Sequence, residues 1–116
     1  MRKAEYEKEH ERLLKKLLRA RVRNIRARHC FDLGQLEAAQ RNRSSAIAWF
    51  ENAIQLGLST EQKLRARLCM GSIMLKSGFK ADAKQQLDMV TRQRPKRFPE
   101  VHRSMMRLHQ RLEKAA

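Results

Sequence analysis

The sequence predicts an all-α chain of about six helices, and three observations carry that prediction. Gly34 and Gly71 lie thirty-seven residues apart, and the same spaced pattern of small and large residues follows each. Only four glycines and two prolines occur in 116 residues, a composition that favours long helices over strands and turns. Where breakers are absent, apolar residues recur at spacings of three and four, which places them on one helical face.

The repeat is the most specific of the three. Twelve positions after each glycine stands a small residue (Ala46, Ala83), four later a large apolar one (Phe50, Leu87), and three later Ala53 or Val90. An apolar residue precedes each glycine (Leu33, Met70), and the second copy closes at Pro95. A period of this length belongs to helix pairs, each burying its apolar face by stacking on the next.

Taken in order, residues 4–24 hold no breaker. Glu5, Glu7, Glu9 and Glu11 come first and bases follow, the order a helix dipole favours. Leu14, Leu18, Val22 and Ile25 predict an apolar stripe, and Lys8, Arg12, Lys15, Arg19, Arg23 and Arg26 a parallel basic one. One long helix, bent near Asn24, is expected. The next helix runs to about Ala39 and carries Cys30, Phe31, Leu33, Gly34 and Leu36. A polar turn at 41–44 follows, with Ser44 or Ser45 placed to cap a helix over 45–56. That helix buries Ala46, Ile47, Trp49, Phe50, Ala53, Ile54 and Leu56, and Gly57 ends it. Ser59 with Gln62 reads as a capping box opening a helix over 60–76. Residues 76–78 turn the chain, and a helix over 80–93 is stopped by Pro95. Pro99 opens a last helix over 99–114, with Val101, Met105, Leu108 and Leu112 inward and Arg103, Arg107 and Arg111 outward.

Length predicts one domain. Aromatics are 5% of the chain, so the core must come from aliphatic residues and Met. No run approaches the roughly 18 apolar residues of a membrane span, which reads as a soluble chain. With 27 Lys and Arg against 12 acids, the net charge is +15, a balance that attracts nucleic acid, anionic membrane or an acidic protein segment. Cys30 and Cys69 read as small buried hydrophobes in a reducing, cytoplasmic compartment. The four histidines (10, 29, 102, 109) lack metal-ligand spacing. No nucleophile motif or phosphate-cradling glycine loop occurs, so neither enzyme activity nor a cofactor is expected.

The repeated residues resemble the tetratricopeptide repeat, a helix–turn–helix unit of thirty-four residues. Residues 27–60 and 64–97 fit two such units, flanked by a basic amphipathic helix over 1–26 and a capping helix over 98–116. Glu37 stands where that family usually has an aromatic, Arg67 where it has an aromatic or apolar residue, and Leu58 where its first proline falls. The resemblance implies a right-handed superhelix whose concave groove binds peptide segments. It also implies that Arg28, Phe31, Gln35, Arg65, Leu68, Ser72 and Lys76 line that groove, giving an apolar floor and a basic rim. Phe31 and Gln35 occupy the places of the Lys and Asn that grip chaperone carboxylates in one subclass, so that clamp is not expected.

The expected function is therefore non-catalytic protein–protein interaction, as an adaptor, assembly factor or small chaperone binding an acidic or amphipathic segment. A second reading is a nucleic-acid- or ribonucleoprotein-associated module using the N-terminal basic stripe, with steep salt dependence. Against it, Tyr6 stands alone as a stacking platform and Trp49 is expected to be packed. Membrane binding by the leading helix is weaker still, since its apolar stripe can dock on the repeats. Self-association through the cluster at 13–18 is a third use.

Overall fold

The computed structural model describes residues 2–115. Among these are six α-helices, one 3-10 turn and no strand: α1 (Lys3–Arg19), α2 (Arg23–Ala39), α3 (Arg43–Leu56), α4 (Thr60–Lys76), α5 (Lys80–Thr91), the 3-10 turn (Pro95–Arg97) and α6 (Pro99–Lys114). The all-α class and the number of helices agree with the sequence. In place of one domain, the chain forms two compact units, Met1–Leu58 and Ser59–Ala116. Each unit is a helical hairpin with a third helix of its own, α1 on α2 in the first and α6 on α4 and α5 in the second. That third helix buries the face a lone hairpin would leave wet.

The thirty-seven-residue period is written into the backbone as well as the side chains. Helices α2 and α4 are both seventeen residues long and begin one period apart, as do α3 and α5. Every matched position is buried in both copies: Leu33 and Met70, Gly34 and Gly71, Ala46 and Ala83, Phe50 and Leu87, Ala53 and Val90. The four residues with positive φ pair the same way, Arg41 with Gly78 and Gly57 with Arg94. Helix α2 ends with Asn42 N–H on the Glu37 carbonyl (2.9 Å) and Arg41 N–H on that of Ala38 (3.0 Å). Phe79 on Met74 (2.8 Å) and Gly78 on Leu75 (3.1 Å) repeat the motif at α4. Both are Schellman endings, which place one residue in the left-handed region. Glycine occupies that place at α4 and arginine at α2.

The leading helix departs from expectation. Instead of one rod over residues 4–24, α1 stops at Arg19, and Ala20 and Val22 are both extended (ψ 131°). Arg26 then donates from Nη1 to the Leu17 and Ala20 carbonyls, each at 3.0 Å, satisfying groups a continuing helix would have used. The buried face of α1 is Leu13 and Leu17, with Tyr6, His10 and Ala20 half-buried. This is a three-four spacing shifted by one position from the expected stripe. Leu18 is consequently 78% exposed, Val22 55% and Ile25 47%.

Smaller differences follow from capping. Helix α3 begins at Arg43 and α5 ends at Thr91. Ser44 and Ser45 fall inside the first turn of α3, whose N-cap is Asn42 with no side-chain capping bond. Asn42 Nδ2 instead reaches the Tyr6 hydroxyl at 3.3 Å. Ser59 does cap α4, accepting from Gln62 N–H at 3.3 Å. Gly57 ends α3 at φ 112°, and α6 spans the expected residues with Val101, Met105, Leu108 and Leu112 buried.

Glu37 is the one buried charged side chain of the described core, at 4% exposure. The Tyr6 hydroxyl donates to its Oε1, so α1 supplies the partner that a buried carboxylate needs. This bond first, then burial, then repulsion by the Glu37 charge hold the Tyr6 phenol above its ordinary pKa.

Four outcomes are expected. Gly34→Ala should cost about 1–3 kcal/mol, because its Cβ would lie 2.7 Å from the ring of Phe50, which is fully buried. Gly71→Ala, whose Cβ would lie 2.9 Å from Cδ2 of the buried Leu108, should cost less than Gly34→Ala, because a leucine methyl can turn aside where a ring cannot and the roughly 1 kcal/mol helix preference of Ala offsets part of the strain. Fluorescence of Trp49, the sole tryptophan, would follow the first variant in urea, and circular dichroism the second. Arg41→Gly should stabilise by about 1 kcal/mol by removing a side chain from the left-handed region. Finally, Tyr6 is the sole tyrosine, so absorbance at alkaline pH reads it alone. Its midpoint should exceed the ordinary value of about 10 and fall back in Glu37→Gln. Because the folded pKa is the higher one, this contribution to stability is complete below the unfolded pKa and is lost as pH rises through the folded one.

Candidate ligand-binding cleft

Within the second unit, α4 and α6 pack face to face along a stripe contributed equally by each. Arg65, Leu68, Cys69 and Ser72 come from α4, and Ser104, Arg107, Leu108 and Arg111 from α6. On both helices these positions are i, i+3, i+4 and i+7, which a 3.6-residue turn brings onto one side. They enclose an open cleft of about 270 Å³.

The floor is apolar, through Leu68 and Leu108, which belong to the core of the unit. The walls carry three guanidinium groups and two hydroxyls, and no acid lines the cleft. Arg111 Nη1 donates to Ser72 Oγ at 3.2 Å, bridging the two walls. Arg67 points away, its Nη1 on Gln86 Oε1 of α5 at 3.4 Å. Ion pairs of this unit include Arg103 with Glu100 and His109 with Glu113, and among the described residues no carboxylate pairs with Arg107 or Arg111. Burial pushes the Cys69 thiol pKa up, with Arg65 pulling the other way, so the sulfur stays neutral at pH 7 and adds no negative charge.

Of the groove residues expected from the sequence, Arg65, Leu68 and Ser72 are brought together here. Lys76 lies exposed at the end of α4, outside the cleft lining. On α2, Arg28 and Gln35 are exposed, whereas Phe31 is drawn into the core at 3% exposure. Its ring sits edge-on to Phe50, with centroids 5.6 Å apart, so it fills unit 1 and is not open to a ligand. Sequence reasoning missed the wall made by α6. Arg107 and Arg111 were read only as the outer face of a cap, although Ser104, Arg107 and Arg111 already share a helical stripe.

The N-terminal basic stripe is largely occupied with local contacts. Arg12 pairs with Glu9 and Lys15 with Glu11, the latter at 3.1 Å. Arg23 donates to the Leu56 and Gln55 carbonyls at 2.8 and 3.0 Å, holding the C-terminal end of α3, where a cation is favoured. Arg26 caps α1 as described. Lys8 and Arg19 remain exposed.

Both cysteines are free thiols. Among the described residues no three of His, Cys, Asp and Glu converge, and no helix is long and apolar enough to cross a membrane. No family model, curated protein or solved structure matches this chain.

The raised thiol pKa predicts slow alkylation of Cys69 by iodoacetamide at neutral pH, accelerating at alkaline pH. Arg65→Met should slow it further by removing the nearby positive charge; peptide mapping by mass spectrometry separates Cys69 from Cys30.

Proposed function

We propose that this chain is a non-catalytic protein–protein interaction module, of the adaptor, assembly-factor or small-chaperone kind, and that the α4–α6 cleft anchors an acidic segment of its partner. The observation that carries this reading is three arginines and two serines facing one another over an apolar floor, with no acid among them. Such an arrangement steers and orients an anionic group while the leucines supply apolar contact. In the same proposal the two hairpins are tetratricopeptide-like units of a right-handed stack in a cytoplasmic protein. The common thirty-seven-residue register of helices, buried residues and positive-φ positions supports that part.

The alternative, a nucleic-acid- or ribonucleoprotein-associated module, draws support from the net charge of +15. The local engagement of Arg12, Lys15, Arg23 and Arg26 weighs against the N-terminal stripe as its surface, since a side chain already bonded must give up that contact to reach a phosphate.

The deciding experiment is affinity capture from lysate, with nuclease and at moderate salt, using the wild type and Arg107→Glu with Arg111→Glu. Lys84→Glu with Arg92→Glu makes the same charge change on exposed sites outside the cleft. The expected result is a discrete set of proteins lost only from the cleft variant, with circular dichroism unchanged. Capture that both variants retain, or that disappears with nuclease in the wild type, would refute the cleft as the binding site.

A further inference from the structure

The chemistry of the α4–α6 cleft narrows the anionic group it takes. We infer that the cleft is a receptor for a single phosphorylated side chain, a phosphomonoester dianion presented by a protein segment. This rests on the reading of the cleft as the anchor point for an acidic segment and specifies the group that is anchored.

Charge is the first reason. Arg65, Arg107 and Arg111 line the cleft and no carboxylate does. A Glu or Asp side chain brings one negative charge to the two carried by Arg107 and Arg111 alone. A phosphomonoester brings about −1.5 to −2 at neutral pH together with three strong acceptor oxygens, and so compensates most of what the cleft gathers.

Donor geometry is the second. A guanidinium offers its N–H groups as a planar fork that matches phosphate oxygens bidentately. The Ser72 and Ser104 hydroxyls stand on opposite walls and add donors that can rotate to fit. Arg111 is already held against Ser72 Oγ at 3.2 Å, which reduces the ordering cost of binding.

Extent is the third. The open cleft of about 270 Å³ is lined by eight residues of two helices, an area that one side chain covers. The Leu68 and Leu108 floor then seats the carbon atoms behind the phosphoryl group. A polynucleotide fits less well: each diester carries a single charge and is substituted on two sides. No aromatic residue lines the cleft to stack a base.

The test uses the full chain and labelled peptide pools, degenerate but acid-free at the flanks, with a central phosphoserine, phosphotyrosine, glutamate or glutamine. Fluorescence anisotropy at about 0.15 M salt should give phosphorylated pools binding at least about tenfold tighter than the glutamate pool, near 1.4 kcal/mol. Arg107→Gln with Arg111→Gln should erase that preference, and the corresponding lysine pair should restore part of it. Equal binding of phosphorylated and glutamate pools, both above glutamine, would overturn the phosphate assignment and leave the acidic-segment reading standing. No pool exceeding glutamine, or oligo(dT) displacing every pool, would overturn both. A measurement on the wild type alone guards against variants that fail to fold. Titration with phenyl phosphate should shift the Arg107 and Arg111 Nε–H resonances saturably, about tenfold more tightly than benzoate. Equal response to the two would again refute the phosphate assignment.

Discussion

The cleft exists because α6 can lie close against α4 at Gly71. A methyl group there would stand 2.9 Å from Leu108 Cδ2, and Leu108 is at once part of the core and part of the cleft floor. The approach that seats this leucine also brings Arg111 within reach of Ser72, the residue after the glycine. Helix α6 therefore does more than close an end. It supplies Val101, Met105, Leu108 and Leu112 to a core of nine buried residues, while its neighbouring stripe of Ser104, Arg107 and Arg111 becomes a wall. The matching glycine of the first unit serves a different contact. Gly34 admits the Phe50 ring of α3, so one repeat position draws a hairpin together in one copy and admits a third helix in the other.

Where the acids stand matters as much as where the bases do. The ion pairs of Glu9 with Arg12, Glu11 with Lys15, Glu100 with Arg103 and Glu113 with His109 each join residues three or four apart on one helix. Exposed pairs of this kind contribute only a few tenths of a kcal/mol each. Their larger effect is on distribution, since an acid engaged along its own helix does not neutralise a base on the next. Glu37 is the exception, buried on α2 and bonded to Tyr6 of α1. The second unit has fourteen Lys and Arg against five acids, and none of those five faces the cleft.

The repeat was legible because its glycines, alanines and large apolar residues mark helix contacts that only small or well-shaped side chains can make. The same rule gave the last helix, where Pro99 and a four-three-four apolar spacing leave one reading. It failed on α1 because Leu13 and Leu14, then Leu17 and Leu18, are adjacent identical residues. Either member of each pair completes a stripe, and only docking onto α2 selects Leu13 and Leu17. The break after Arg19 was illegible for a related reason: no glycine or proline marks it, and the group that stabilises it is Arg26, six residues beyond Ala20. The left-handed Arg41 and Arg94 were hidden because arginine is not a residue that announces positive φ. Half the cleft was read from α4 alone. Its other half lies some forty residues further on, and no local pattern says which helix α6 will meet.

Total charge is a poor guide to what such a protein recognises. At physiological salt the Debye length is about 8 Å, so exposed bases scattered over two units act on a ligand nearly independently. What distinguishes the cleft is the apolar floor beneath its arginines. Leu68 and Leu108 exclude water from one side of the site, which lowers the local dielectric and strengthens each charge-assisted hydrogen bond made there. A ligand that brings only hydrophobic contact leaves those bonds unmade. On the proposed reading both features are matched by a compact anion carried on a short apolar stem, so that recognition would turn on the eight cleft residues of two helices and not on the formal +15.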